Sequence, residues 1–266
     1  MSSQKTFRLV SLILGIYSVV ILGVYLFQDW IVFQSIPLKN NYDYPFTEPH
    51  QEIWLMMPDG HQINALHFTS HQPKGLILYF HGNRGNLSRW GGMHKDFTTR
   101  QYDILMIDYS GYGKSEGTSS EEQLYENARA AYKWAIQKYA KKNIIIYGRS
   151  LGSAVASHLA TQVDAKMLIL ETPFYNIPET IRQKVPYLWL PFRFKSQFPN
   201  NLHLNQVDIP VHILHGTKDK LVKYASAKKL HSLLSCASCF VTVKGGGHRN
   251  LSTYAAFQEY LEKILQ

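Results

Sequence analysis

Three polar residues in this chain have the types and the surroundings that acyl-transfer chemistry requires. Ser150 is the central residue of the motif GRSLG (148–152), which directly follows an apolar run. Asp219 ends the segment HGTKD (215–219), and His248 ends the segment GGGH (245–248). A serine hydroxyl is a weak nucleophile, so it needs a base to take its proton and an acid to orient that base. The sequence contains a candidate for each of these roles.

Short apolar runs along the chain are typical of strands that are buried on both faces. They alternate with segments of helical periodicity, the clearest of which follows the capping box SSEE (119–122). A turn tripeptide, PDG (58–60), joins the first two runs into a predicted hairpin. The pattern predicts an α/β fold, with a mostly parallel central sheet and helices on both faces. The predicted strands are 53–57, 63–68, 76–80, 104–107, 144–147, 167–170, 211–214 and 240–243.

The three candidate residues each come directly after a different predicted strand. In a parallel α/β sheet, chemistry takes place at the carboxyl ends of the strands. GRSLG stands between a strand and a helix, which is the setting of a nucleophile elbow. The order Ser150, Asp219, His248 is the order expected of an α/β-hydrolase. Asp108 also ends a strand and is a less favoured alternative acid, because it more readily holds its own glycine-rich loop.

A hydrolase of this kind also needs two amides that stabilise the anion formed during the reaction. The backbone N–H after the nucleophile belongs to Leu151, and the segment HGNRGN (81–86) follows another predicted strand. The N–H of Asn83 is the expected second donor. Removing one such donor typically costs about 10²- to 10³-fold in rate. His81 is expected to be a structural histidine that bonds to nearby backbone.

These segments resemble the α/β-hydrolase superfamily and, within it, the membrane-anchored "α/β-hydrolase domain-containing" serine hydrolases. The matching segments are the N-terminal anchor, HGNRGN (81–86), DYSGYGKSEG (108–117), GRSLGS (148–153), ETPF (171–174), HGTKD (215–219) and GGGH (245–248). The resemblance implies Ser150 as nucleophile, Asp219 as acid and His248 as base, with Asn83 and Leu151 as oxyanion donors. It also implies esterase- or thioesterase-like activity, in some members on acylated proteins. Arg249 departs from the family pattern, in which a small polar or acidic residue follows the histidine, and this affects the expected substrate preference.

The stretch from about 175 to 205 interrupts the alternation of strands and helices. It is rich in aromatic residues and prolines, and in such hydrolases an insertion at this point forms a cap. One hypothesis is that the aromatic residues of this cap supply an apolar pocket for an acyl chain beside Ser150. The alternative is a packed cap that has no role beyond its shape.

An apolar segment precedes the predicted domain. Residues 9–27 contain no charged residue, and nineteen residues are long enough to cross the hydrocarbon core of a membrane as a helix. Lys5 and Arg8 precede this segment, so the positive-inside rule places the N-terminus in the cytoplasm and the domain on the other side. The bulky residues at its end favour an uncleaved signal anchor over a cleaved signal peptide. We therefore predict a cytoplasmic N-terminus (1–8), a transmembrane signal anchor (9–27), a linker (28–50) and a hydrolase domain (51–266).

The composition restricts the partners and cofactors that we expect. The formal net charge is +9, but the basic residues are scattered and accompany no motif of a nucleic-acid reader, so nucleic-acid binding is not expected. Cys236 and Cys239 form one Cys-x-x-Cys pair without the further ligands of a zinc site. They are either incidental thiols or a local disulfide. No metal and no organic cofactor is expected, and the oligomeric state stays open.

Taken together, these residues predict a membrane-tethered serine hydrolase that cleaves carboxylic esters or thioesters. Its substrate is expected to be a lipid, an acylated protein or a small molecule. A serine peptidase or aminopeptidase uses the same machinery and is one alternative. A catalytically inactive scaffold that keeps the fold as a binding module is another. Loss of function without loss of folding in Ser150→Ala distinguishes an enzyme from a scaffold.

Overall fold

The computed structural model describes residues 3–234 and 238–266, so Cys236 of the Cys-x-x-Cys pair lies outside the described residues. Eight strands form a single sheet: β1 (His50–Met56), β2 (Gln62–Phe68), β3 (Gly75–Phe80), β4 (Tyr102–Ile107), β5 (Ile144–Arg149), β6 (Met167–Glu171), β7 (Val211–Gly216) and β8 (Ser238–Val243). The order in the sheet is β1-β2-β4-β3-β5-β6-β7-β8. The β1–β2 and β2–β4 pairs are antiparallel, and all other neighbouring strands are parallel. The mostly parallel sheet predicted from the apolar runs is confirmed.

Helices cover both faces of this sheet. They are α1 (Ser3–Phe33), α2 (Leu87–Trp90), α3 (Lys95–Thr98), α4 (Glu121–Ala135), α5 (Leu151–Ala160), α6 (Ile177–Lys184), α7 (Asn200–His203), α8 (Tyr224–His231) and α9 (Ala255–Ile264). Buried side chains of α4, α5 and α8 pack on one face. Those of α2, α3 and α9 pack on the other. This two-sided cover explains why the central strands are almost continuously apolar.

The two central strands, β3 and β5, position the candidate nucleophile. Every residue of both strands is buried, and the strands pair in parallel from Leu76 and Ile144 to Phe80 and Gly148. Burying one leucine or isoleucine side chain contributes about 1.5 to 3 kcal/mol. The end of β5, where Ser150 follows, is therefore fixed by the most deeply packed part of the sheet.

The N-terminal helix α1 is longer than the segment that we predicted to cross a membrane. By length and composition, α1 could span a membrane, and no other helix in the described part of the chain could. The apolar side chains of its central part are exposed in this structure. The helix continues through residues 28–33, which we expected to begin the linker. Gln28, Val32 and Phe33 are buried there, and Tyr112 Oη donates a hydrogen bond to the Phe33 carbonyl oxygen. Packing on the domain thus extends the helix beyond its apolar segment.

Two half-buried histidines, His158 and His203, contact Tyr125 of α4 and are expected to make the fold sensitive to acid. The His158 ring stacks on Tyr125 with centroids 3.7 Å apart, and the His203 ring lies 5.0 Å from that of His158. Burial, together with the charge of Arg129, lowers the pKa of His158 to about 4. Burial and the neighbouring His158 likewise lower the pKa of His203 to about 4. Both imidazoles are therefore neutral in the folded protein at neutral pH.

We expect this pair to destabilise the fold between about pH 6.5 and 4, because the unfolded chain binds protons there that the folded chain does not. One pKa unit corresponds to about 1.4 kcal/mol, and partial solvent exposure reduces the expected loss to about 1 kcal/mol per histidine. The measurement is the thermal unfolding midpoint of the full chain in detergent at pH 7 and pH 4.5. Between these pH values, the unfolding midpoint of the double variant His158→Gln/His203→Gln should fall by less than that of the wild type. His71→Gln, at an exposed position, is the control, and an equal loss in all three proteins would contradict the expectation.

Candidate active site

A single residue, Ser150, connects β5 to α5. Its backbone has φ +52° and ψ −116°, outside the helical and extended regions. A positive φ is uncommon for a residue with a side chain, and it stores strain that the surrounding structure must support. The Ser150 N–H donates to the Glu171 carbonyl oxygen at the end of β6, at 2.9 Å. The turn therefore holds the serine in one conformation where the strand ends.

The glycines on each side of the serine allow close packing of this turn. A Cβ on Gly152 would lie 2.0 Å from the Phe80 carbonyl oxygen, and a Cβ on Gly148 would lie 2.3 Å from the Gly152 carbonyl oxygen. Both contacts are to backbone, which has little freedom to move. The glycines of GRSLG are thus required by the packing of α5 against β3 and β5.

Replacing Gly152 with alanine is expected to destabilise the protein by about 3 kcal/mol or more, since overpacking against backbone forces the helix to shift. Gly92→Ala is the matched control, because no heavy atom lies within 4 Å of the added Cβ. That change should alter the unfolding free energy by less than about 0.5 kcal/mol. Thermal unfolding of the two variants measures the difference, and equal midpoints would show that the turn is not tightly packed.

Ser150, His248 and Asp219 are brought together by the ends of three strands. The Nε2 atom of His248 lies 2.9 Å from Ser150 Oγ. The Nδ1 atom of the same ring lies 2.7 Å from Asp219 Oδ2. Both distances are those of hydrogen bonds. A continuous path for proton transfer therefore runs from the serine hydroxyl through the imidazole, whose other nitrogen faces the carboxylate.

The Asp219 carboxylate is fixed by partners that the sequence did not indicate. Its Oδ1 accepts hydrogen bonds from the amides of Leu221 and Val222, and its Oδ2 lies 3.3 Å from Nε2 of His215. Burial alone would raise the pKa of Asp219. Hydrogen bonds from His215, His248 and the Val222 amide outweigh that effect and hold the pKa well below its ordinary value. Asp219 therefore stays ionised opposite His248.

The loop that carries the expected oxyanion donor Asn83 is anchored at several points. Tyr109 Oη donates to the His81 carbonyl oxygen at 2.9 Å, and Tyr112 Oη, which donates to Phe33, lies 3.0 Å from the Asn83 carbonyl oxygen. The Asn83 side-chain amide donates to the Val32 carbonyl oxygen of α1 at 3.1 Å. Leu151 is the first residue of α5, where amides have no acceptor within the helix. Asn83 and Leu151 both line the cavity beside Ser150.

Asp108, the alternative acid, has other partners. It is fully buried, its carboxylate accepts a hydrogen bond from the Leu87 amide at 3.0 Å, and its Oδ1 lies 3.4 Å from Nε2 of His81. Burial raises the pKa of Asp108 above its ordinary value. Its hydrogen bonds place it beneath the 81–86 loop, where it fixes the start of α2 at Leu87.

A buried ion pair beneath the elbow was missed in the sequence. Arg149 Nε lies 3.2 Å from Glu171 Oε1, and both side chains are at most 5% exposed. Tyr147 Oη donates to the other oxygen of Glu171 at 2.7 Å. Arg149 also reaches the His248 carbonyl oxygen at 3.5 Å, so it links the elbow to the histidine loop. A charge at the end of an otherwise apolar strand is the signal that points to such a pair.

Two concave regions meet at Ser150. The apolar cavity has a volume of about 240 Å³ and is lined by Ile31, Val32, Gln34, Asn83, Ser150, Leu151, Phe174, Ile177, Thr180, Ile181, Lys184, Leu221 and Val222. The arginine cleft shares Asn83, Ser150 and Leu221 with this cavity and is otherwise lined by Gly82, Arg84, Arg89, Trp90, Arg149, His248 and Arg249. Residues from the end of α1 and from α6 thus form much of the apolar wall.

The aromatic residues of the 175–205 segment do not line the apolar cavity. The face of α6 that carries Ile177, Ile181 and Lys184 lines that cavity. Tyr187, Trp189 and other aromatic residues after α6 line a separate cavity of about 410 Å³. The cap therefore contributes to the cavity beside Ser150 through α6 and not through these aromatic residues.

Solved structures that match this arrangement of strands and helices include several esterases. The structure matches an esterase from Pyrococcus furiosus with a TM-score of 0.71 at 14% sequence identity, covering 88% of this chain and 96% of that chain. It also matches an esterase from Exiguobacterium antarcticum with a TM-score of 0.64 at 16% identity, covering 81% of this chain and 99% of that chain. A family model described as "Serine aminopeptidase, S33" matches residues 71–202. This chain belongs to the α/β-hydrolase superfamily. The fold predicted from the sequence is confirmed.

Curated α/β-hydrolases include relatives of higher sequence identity. The "Alpha/beta hydrolase domain-containing protein 17C" of Xenopus tropicalis is 31% identical over 193 residues, which are 71% of this chain and 60% of that protein. The "Lysophosphatidylserine lipase ABHD12" of Danio rerio is 35% identical over 191 residues, which are 62% of this chain and 48% of that protein. The chain therefore spans about half to three fifths of the length of these relatives.

Proposed function

We propose that this α/β-hydrolase is a serine hydrolase that cleaves carboxylic ester or thioester bonds through an acyl-enzyme. Ser150 is the nucleophile, His248 the base and Asp219 the acid. The observation that carries this proposal is the hydrogen-bonded chain of Ser150 Oγ, the His248 ring and Asp219 Oδ2, with distances of 2.9 and 2.7 Å. The esterases among the structural neighbours support the reaction class.

In the proposed reaction, each of these residues has a distinct role. His248 Nε2 takes the hydroxyl proton as Ser150 Oγ attacks the carbonyl carbon. The amides of Asn83 and Leu151 donate to the oxygen that becomes negative. When the bond to the leaving group breaks, His248 returns the proton to the leaving atom. A water molecule, activated by the same imidazole, then releases the acyl group from Ser150, while Asp219 holds the tautomer and stabilises the imidazolium.

The apolar cavity supports a fatty acyl group as the part of the substrate that is transferred to Ser150. Its wall includes Ile31 and Val32 at the end of α1, so an acyl chain in the cavity lies beside the membrane helix. The lipase among the relatives supports a lipid, and an acylated protein presents the same chain. Following the basic residues Lys5 and Arg8, we place the N-terminus in the cytoplasm and the domain outside. Protease added to sealed membrane vesicles whose cytoplasmic face points outward tests this orientation, and digestion of the domain without detergent would contradict it.

An aminopeptidase is the second candidate, because the matching family model carries that description. Such an enzyme must bind the α-ammonium group of its substrate, for which a carboxylate is the usual partner. Neither the apolar cavity nor the arginine cleft has an aspartate or glutamate among its lining residues in the described parts of the chain. Lys184 and several arginines line them instead. The charges around Ser150 therefore favour an acyl ester over a peptide with a free N-terminus.

The chain-length preference of ester hydrolysis tests the acyl cavity. Each buried methylene contributes about 0.8 kcal/mol, so four additional methylenes inside the cavity are worth about 3 kcal/mol, or roughly 10²-fold in kcat/KM. With p-nitrophenyl esters, the wild type should prefer octanoate to butyrate. Ile181→Trp fills the cavity and should remove or reverse this preference.

Val185→Trp is the matched control for that substitution. Val185 follows α6 and lines the separate aromatic cavity, so a tryptophan there should leave the preference for octanoate intact. An unchanged profile in Ile181→Trp would show that acyl chains bind elsewhere. A wild type that hydrolyses no ester, but releases the N-terminal residue of peptides, would favour the aminopeptidase.

A further inference from the structure

The arginine cleft concentrates positive charge next to the candidate nucleophile. Arg84, Arg89 and Arg249 are exposed, and none of them forms a salt bridge with a carboxylate in residues 3–234 and 238–266. By contrast, Arg100 and Arg129, elsewhere on the domain, pair with Glu262 and Glu126. The cleft thus holds three guanidinium groups that have no anionic partner in the part of the chain that the structure describes.

Bringing these like charges together is unfavourable for the protein alone. Partial burial lowers the pKa of Arg89, and the charges of Arg249, Arg149 and Arg84 lower it further. Only Arg149 is neutralised, by Glu171. A guanidinium group offers two parallel N–H donors that match the oxygens of a phosphate or carboxylate. An anion in the cleft would therefore relieve the repulsion and satisfy these donors.

The position of His248 shows which part of a substrate the cleft faces. His248 lines the arginine cleft, but it is not among the residues that line the apolar cavity. In acyl transfer, the imidazole delivers its proton to the leaving group. With the acyl chain in the apolar cavity, a leaving group that receives this proton lies next to His248, in the region that the arginine cleft lines.

We propose that Arg84, Arg89 and Arg249 bind a negatively charged group, a phosphate or a carboxylate, in the leaving group of the substrate. The inference rests on the proposed ester hydrolysis at Ser150. The reaction is simple hydrolysis: the ester and water give the free acid and an alcohol that carries the phosphate or carboxylate group. The substrate is thus an acyl ester with an apolar chain and an anionic head. Arg249, the residue that departs from the family pattern, contributes directly to this preference.

Two pairs of esters with the same acyl chain test the inference in the full-length protein. The first pair is 1-octanoylglycerol and 1-octanoylglycerol 3-phosphate, and the second is methyl octanoate and octanoyl-lactate. The wild type should show a higher kcat/KM for the anionic member of at least one pair. The pair that shows this advantage indicates whether the cleft binds a phosphate or a carboxylate. Arg249→Gln and Arg89→Gln should each reduce this advantage by about tenfold, because charge-assisted hydrogen bonds are lost. Arg129→Gln, remote from the cleft, should retain it.

Equal rates for neutral and anionic esters in the wild type would overturn the inference while leaving ester hydrolysis intact. If no ester is hydrolysed, the proposed function fails, and the anion site in the cleft is then tested separately by measuring the binding of anions. In that case, calorimetry with glycerol 3-phosphate and with lactate on Ser150→Ala should show binding that Arg249→Gln removes. Binding of neither anion, or binding that is unaffected by Arg249→Gln, would overturn the inference as well.

Discussion

Replacing Ser150 with alanine is expected to lower kcat for ester hydrolysis by about 10⁶-fold, the effect typical of removing the nucleophile from a triad that acts as a unit. The substitution removes only Oγ, which bonds to His248. The strained backbone at φ +52° is the same for both residues, so the fold should be retained. Stopped assays with p-nitrophenyl octanoate, together with thermal unfolding, measure the two effects.

Ser157→Ala is the matched control for that experiment. Ser157 is a fully buried serine on α5, the helix that follows Ser150, and its Oγ donates to the Ser153 carbonyl oxygen. Its loss should leave kcat within about tenfold of the wild type, since Ser157 lies two turns from the elbow. Residual activity in Ser150→Ala that is comparable to the control would mean that another group is the nucleophile.

Replacing Asp219 with asparagine is expected to lower kcat by about 10⁴-fold in the protein that stays folded. An asparagine keeps the shape of the side chain, but its NH₂ group cannot accept the proton that His248 Nδ1 presents. The imidazole is then held in the wrong tautomer, and its positive charge is no longer stabilised. Because the pKa of Asp219 lies well below its ordinary value, the acid branch of the wild-type pH profile should not arise from Asp219.

Asp108→Asn separates this role from that of a structural carboxylate. Asp108 bonds to the Leu87 amide and faces His81, not His248. We expect a lower unfolding midpoint for this variant and a change in kcat of less than about tenfold in the protein that stays folded. If Asp108→Asn lost as much activity as Asp219→Asn, the acid would be misassigned.

The sequence was sufficient to predict the positions of the strands and the proximity of the three candidate residues. Apolar runs defined the parallel sheet, because strands covered on both faces exclude polar residues. In such a sheet, residues that follow different strands at their carboxyl ends must converge, as Ser150, Asp219 and His248 do. The glycines of GRSLG indicated the close approach of backbone atoms that the structure shows at Gly152.

Other parts of the site depend on contacts between distant segments, which local patterns do not reveal. The ion pair between Arg149 and Glu171 joins the ends of two strands and is visible only once β5 and β6 are paired. The part of the cap that lines the cavity, α6 and not the aromatic residues, was missed because composition does not show which residues of a segment face Ser150. The contribution of α1 to the apolar cavity was also missed, since a membrane segment was treated as separate from the domain.

Labelling of the full chain with a fluorophosphonate probe tests the central proposal most directly. Such a probe reacts with a serine that a neighbouring base has activated, and mass spectrometry of the digested protein identifies the labelled residue. We predict that the wild type is labelled at Ser150, that Ser150→Ala and His248→Ala are not labelled, and that Ser157→Ala is labelled like the wild type. A folded wild type that stays unlabelled, or label on a different serine that persists in Ser150→Ala, would contradict the proposed mechanism.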